Sequence, residues 1–140
     1  MDTITKVNQL SLHQGLNSES AFTIKLTNSK FDSAAGSELL GKVESWISTN
    51  LMMSDKELPL LMIDMENVEF IDSKGLEKLV ACLRLMKSQK SNLLLCSHQP
   101  SVRLVFEITR VDQLFAVFPS VDKFMSQFHN QQDSEYLLAA

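Results

Sequence analysis

The residues best placed to do chemistry stand together at Asp72-Ser73-Lys74-Gly75, a hydroxyl flanked by a carboxylate and an ammonium. Three chemistries suit a serine in such a setting: nucleophilic attack, acceptance of a phosphoryl group, or capping of a helix. The first needs a base and an oxyanion site. Ser73 lacks the Gly-x-Ser-x-Gly elbow, and His13, His98 and His129 stand in no recognisable triad context. A serine hydrolase is therefore the distant alternative. The four glycines form neither Gly-x-Gly-x-x-Gly nor a P-loop, and no metal-ligand spacing is present, so neither cofactor nor metal is expected.

A serine acts only where its chain holds it, so the surrounding elements decide between the other two chemistries. Phe22, Ile24 and Leu26 alternate with Thr23, Lys25 and Thr27, which predicts a strand over 21–27 with one buried face; a weaker strand signal lies within residues 4–12. At Asp32 and Ser33, both capping residue types, the period changes. Ala35, Leu39, Val43 and Ile47 recur every four residues, predicting a helix over 33–49 and then a loop at 54–56. Leu60-Leu61-Met62-Ile63 is a continuous apolar run, the mark of a strand buried on both faces, and leaves through Asp64.

Leu76, Leu79, Val80, Leu83 and Met86 define the clearest helix, opening just beyond Ser73, with Lys87 and Lys90 suited to its negative end. Asn92-Leu93-Leu94-Leu95-Cys96 reads as a second central strand. Pro100 then opens a helix with Val102, Val105, Phe106 and Thr109 on one face. Leu104 and Ile108 fall opposite. So wide an apolar arc reads as a helix buried on two sides, the alternative being a wall of a partner groove. A short strand at Phe115-Ala116-Val117 follows, and Ser120 caps a last helix carrying Val121, Phe124, Met125 and Phe128.

Alternating strands and helices imply parallel neighbours with right-handed crossovers. The fold class is α/β: a single domain over 1–130, with a mixed, mostly parallel central sheet and about four helices. Beyond it lies a loose polar tail, 131–140, ending Leu137-Leu138-Ala139-Ala140 in the manner of endings read by bacterial proteases. The Asp72-Ser73 pair falls where strands hand over to helices, the usual place for function in such sheets. A cap is the plain reading of that pair.

Composition narrows the partners. At a net charge of −4 with its 13 basic residues scattered, the chain lacks the basic cluster a nucleic acid demands. No apolar stretch approaches the ~18 residues of a membrane helix, and no signal peptide opens the chain, so a cytoplasmic protein without membrane insertion is expected. Cys82 and Cys96 sit in apolar runs and read as buried free thiols.

Residues 60–118 resemble the STAS family, named for sulfate transporters and anti-sigma factor antagonists. The shared signature is an apolar strand ending in Asp, here Leu61-Met62-Ile63-Asp64. A spacer and an apolar-aromatic pair follow (Val68-Glu69-Phe70-Ile71), then Asp72-Ser73-Lys74-Gly75-Leu76 and a helix. The likeness extends over 22–118. Phe31-Asp32 stands where members often carry Gly-x-Leu-Asp, with the glycine missing.

The resemblance to anti-sigma factor antagonists implies a protein with no catalysis of its own, binding a partner serine kinase of the GHKL type that is itself the anti-sigma factor. It implies that Ser73 is the phosphorylation site, reset by a PP2C-type phosphatase. Asp72, Ser73, Lys74 and Gly75 would then shape the partner contact, with Gly75 admitting a partner's backbone and Asp64 in the loop beside it. The alternative within the family is an unphosphorylated adaptor in a signalling or transport assembly.

Overall fold

Four strands run parallel through the middle of the molecule, and a fifth, antiparallel, closes one edge. The computed structural model describes residues 4–9, 21–53 and 58–130. In chain order these hold β1 (Ile4–Gln9), β2 (Ala21–Leu26), β3 (Lys30–Phe31), α1 (Ser33–Met53), β4 (Leu60–Asp64) and β5 (Phe70–Ile71). There follow α2 (Ser73–Ser88), β6 (Leu93–Cys96), α3 (Pro100–Thr109), a 3-10 turn, β7 (Ala116–Phe118) and α4 (Val121–Asn130). The main sheet has the order β1-β2-β4-β6-β7, with only β1 antiparallel to its neighbour. A separate two-stranded parallel ribbon pairs β3 with β5, Lys30 opposite Phe70 and Phe31 opposite Ile71.

Strand alternation divides the apolar residues between two cores. Leu61, Ile63, Leu93 and Leu95 face the larger, filled by Leu39 and Val43 of α1, Leu79 and Met86 of α2, and Val102 and Phe106 of α3. Met62, Leu94 and Cys96 face the smaller, closed by Phe124 of α4 edge-on to Phe118, ring centroids 5.0 Å apart. The two apolar runs β4 and β6 are buried on both sides for this reason.

Four expectations change. Thr23, placed on a wet face, is buried: the second face of β2 looks into the smaller core beside Ala21. Helix α1 continues to Met53, because nothing after Thr49 breaks it and Asn50 Nδ2 donates back to the Trp46 carbonyl. The last strand starts one residue late, since Phe115 turns into the larger core against Phe106, centroids 5.9 Å apart. Most consequential, α3 is buried on one side only. Leu104 is 55% exposed and Ile108 71%, because no described element covers the outward side of this helix. The loop expected at 54–56, the side chain of Phe128 and the tail 131–140 lie outside the described residues.

Candidate functional site

The turn from β5 into α2 is built by one side chain. Asp72 is extended (φ −105°, ψ 179°), and its Oδ1 accepts a 2.8 Å hydrogen bond from the Gly75 N–H. Its carbonyl accepts from Leu76 N–H at 2.9 Å. Asp72 is thus the N-cap of α2, which leaves Ser73 as the first helical residue. Ser73 and Lys74 are exposed, and nothing in the cap uses the serine hydroxyl.

Gly75 serves a different purpose from the one expected. It is buried, and a Cβ there would run into the Phe31 carbonyl oxygen and come within 2.8 Å of the carbonyl carbon. The backbone that approaches is the chain's own, at the end of β3, and not that of a visitor. Asp72 N–H points at the same carbonyl at 3.4 Å, and Glu69 and Phe70 N–H both donate to Ser29 O at 2.8 and 3.1 Å. The missing glycine of the Gly-x-Leu-Asp pattern falls at Ser29. Its backbone is not in the left-handed region, so the loop needs no glycine there.

A second turn of the same design lies alongside. Asp32 caps α1 through a 3.0 Å bond from Ala35 N–H, and Ser33 is exposed as Ser73 is.

Asp64 belongs elsewhere. Sharing the parity of Met62, it faces the α4 side of the sheet, where it is buried and lines a cleft of about 520 Å³ at the carboxyl ends of the strands. Glu66, Ser97, His98, Ser120 and Asp122 also line it; Ser73 does not. Asp64 Oδ1 accepts from Glu66 N–H at 3.0 Å, and Lys25 Nζ lies 3.8 Å from Oδ2 while donating to Glu66 Oε1 at 2.7 Å. That bond to Glu66 raises the Lys25 pKa and lowers that of Glu66. Burial lowers the His98 pKa. Burial first, then the Asp64 charge, pushes the Cys96 thiol up to about 12, and burial does the same to Cys82. Among the described residues no group of three or more His, Cys, Asp or Glu side chains could hold a metal, and no helix is long and apolar enough to cross a membrane.

The loop between β4 and β5 is pinned by its own Asn67 and by two side chains from the start of α3. Asn67 Nδ2 donates to Leu26 O at 3.3 Å, Gln99 Nε2 to Glu66 O at 2.7 Å, and Ser101 Oγ to Glu69 O at 2.8 Å. The last contact sets the start of α3 beside β5. The pairing of the two capped turns has its sequence signal in the repetition of Phe31-Asp32-Ser33 as Ile71-Asp72-Ser73, and the exposed apolar side of α3 is the alternative that the wide arc leaves open.

The STAS domain family model matches residues 18–124. Among solved structures, the unphosphorylated form of the Bacillus anti-sigma factor antagonist SpoIIAA superposes at TM-score 0.60, with 16% identity over 89% of this chain and 97% of that one. Its phosphorylated form gives 0.57 and 14%, over 87% and 98%. The murine solute carrier 26 family member A9 anion transporter gives 0.57 and 20%, over 76% of this chain but 18% of the transporter. At such identities the likeness is one of fold.

Proposed function

This chain belongs to the STAS domain family, and on that footing we propose that it is a non-catalytic regulatory protein that captures a partner through the β5–α2 turn and is released by phosphorylation of Ser73. The partner is a GHKL-type serine kinase that doubles as an anti-sigma factor. It transfers the γ-phosphoryl group of ATP to Ser73 Oγ, which gives up its proton, and a PP2C-type phosphatase hydrolyses the ester. The protein works in the bacterial cytoplasm, where ATP is available.

One observation carries the reading: Asp72 supplies the cap, so Ser73 stands exposed at the head of α2 with its hydroxyl outside the capping bonds. An acceptor hydroxyl must be reachable and structurally dispensable, and this one is both. The physics of release follows from position. A phosphate adds ~1.5–2 negative charges. The helix N-terminus tolerates that charge, so the fold survives. A partner surface fitted to a neutral hydroxyl beside the Asp72 carboxylate does not, and like-charge juxtaposition there costs several kcal/mol, at ~1.4 kcal/mol per tenfold in affinity. Lys74 is the exposed cation next to the scene and Gly75 keeps the turn seated on Phe31.

SpoIIAA is known in phosphorylated and unphosphorylated forms, which supports a switch in this family. The transporter likeness favours a second reading, a constitutive adaptor that is never phosphorylated. Phosphosite mapping on protein purified from its own cells separates the two. Phosphate on Ser73, absent from Ser73→Ala, is expected; a Ser73 unmodified through growth and stress leaves the adaptor.

A further inference from the structure

Four large apolar side chains are about half exposed or more around α3 and β5: Phe70 at 51%, Leu104 at 55%, Ile108 at 71% and Leu114 at 48%. Leu104 and Ile108 are neighbours four residues apart, one turn and two turns beyond Ser101. Because Ser101 is bonded to the Glu69 carbonyl, this ridge begins next to Phe70, and Phe70 is three residues from Ser73. Lys30 holds its ammonium 5.8 Å from the centre of the Phe70 ring, and about half of Phe70 is still open to solvent.

Four partly exposed side chains fill only part of the ~800 Å² that each side of a stable interface buries. Whatever covers them must also cover adjoining surface, and the adjoining surface at the β5 end is the Ser73 turn. The distances allow it. Phe70 and Ser73 are at most ~10 Å apart along the chain, Leu104 and Ile108 lie ~4.5 and ~10 Å from Ser101 along the helix axis, and a footprint of ~800 Å² is a disc of ~16 Å radius.

Resting on the reading above, we propose that the same partner that covers Ser73 seats an apolar groove over the Phe70-Leu104-Ile108 ridge. The ridge supplies affinity, and Ser73 supplies the switch. The division of labour is physical: the ridge carries no titratable or modifiable group, so its contribution is the same before and after phosphorylation. A phosphorylated product is then held by the ridge alone and leaves.

The test places a photo-reactive benzophenone residue in the full chain, either at position 74 beside Ser73 or at position 108 on the ridge, in the source cells. Irradiation and mass spectrometry identify each adduct. The expected result is one and the same protein at both positions, with the yield at position 74 lowered at least tenfold by Phe70→Ser with Leu104→Ser. Both residues are about half exposed, so the variant should still fold, and its melting temperature is measured alongside the yield to show that it does. If position 74 captures a protein while position 108 captures nothing, a different protein or a second copy of this chain, the ridge proposal fails and the proposed function stands. An unchanged yield at position 74 in the ridge variant also overturns the proposal. Capture at position 108 alone overturns both the shared partner and the Ser73 capture site, as does capture at neither.

Discussion

Two helix starts lie side by side in this protein, and they are almost the same object. Phe31-Asp32-Ser33 opens α1 and Ile71-Asp72-Ser73 opens α2; β3 and β5 pair in register, and the aspartates cap at 3.0 and 2.8 Å. The sequence of buried, half-buried and exposed positions is identical over residues 31–40 and 71–80. They differ in what surrounds them. The strand residue before the α1 turn is Lys30, whereas before the α2 turn it is Phe70, at the edge of the α3 ridge. Ala35 occupies the α1 position that Gly75 fills in α2, where Phe31 presses in. An exposed serine on a capped helix is therefore not distinctive in itself. What sets the Ser73 turn apart from the Ser33 turn is the neighbouring apolar surface and the backbone contact.

The largest effect that would break the equivalence is at glycine. Gly75→Ala drives a Cβ into the Phe31 backbone, which cannot swing aside, and should cost ~3 kcal/mol by urea denaturation. Gly36→Ala meets Lys78 Cβ at 2.5 Å and Cγ at 2.7 Å; Cβ is fixed to the α2 backbone, so the two helices must part slightly, but no backbone carbonyl is struck and helix propensity is regained, so its net cost should be smaller, ~2 kcal/mol. Equal costs would mean that Phe31 is free to move. Next comes charge at the serines. Ser73→Asp should weaken binding of the proposed partner kinase at least tenfold, ~1.4 kcal/mol, with melting temperature nearly unchanged; Ser33→Asp should leave affinity alone. Equal binding by wild type and Ser73→Asp in a titration would sink the switch. The smallest effect should be the most symmetrical: Asp32→Ala and Asp72→Ala each remove one cap bond and should each cost ~1 kcal/mol. A clear inequality would show that one turn is held by more than its cap.

Much of this was legible in the residues. Continuous apolar runs mark β4 and β6, and the 3.6-residue period marks α2, because both record burial along a single element. Failures came where the answer depends on a second element. The apolar arc of α3 does not tell whether a neighbour covers it, and Leu104 and Ile108, which the pattern alone favours as buried, stand exposed. Alternation along 21–27 implies one dry face and so puts Thr23 in water, but β2 is covered on both sides. The resemblance sets Asp64 in the loop beside Ser73, whereas strand parity sends its side chain to the opposite side of the sheet. Gly75 was recognised as a place of close approach, but its visitor, Phe31, lies 44 residues away in sequence, beyond any local pattern.

The two cores have unequal cover, three helices against one, and each holds a single cysteine: Cys82 in the larger, Cys96 in the smaller. Both thiols are pushed up to about 12, so neither reacts while the fold is closed. Lifting α4 uncovers Cys96 without disturbing the packing around Cys82. The protein thereby carries two natural clocks for its two sides. Under native conditions a thiol reagent should modify Cys96 well before Cys82, and the ratio of the two rates measures how much more often the sheet opens on its thinly roofed side.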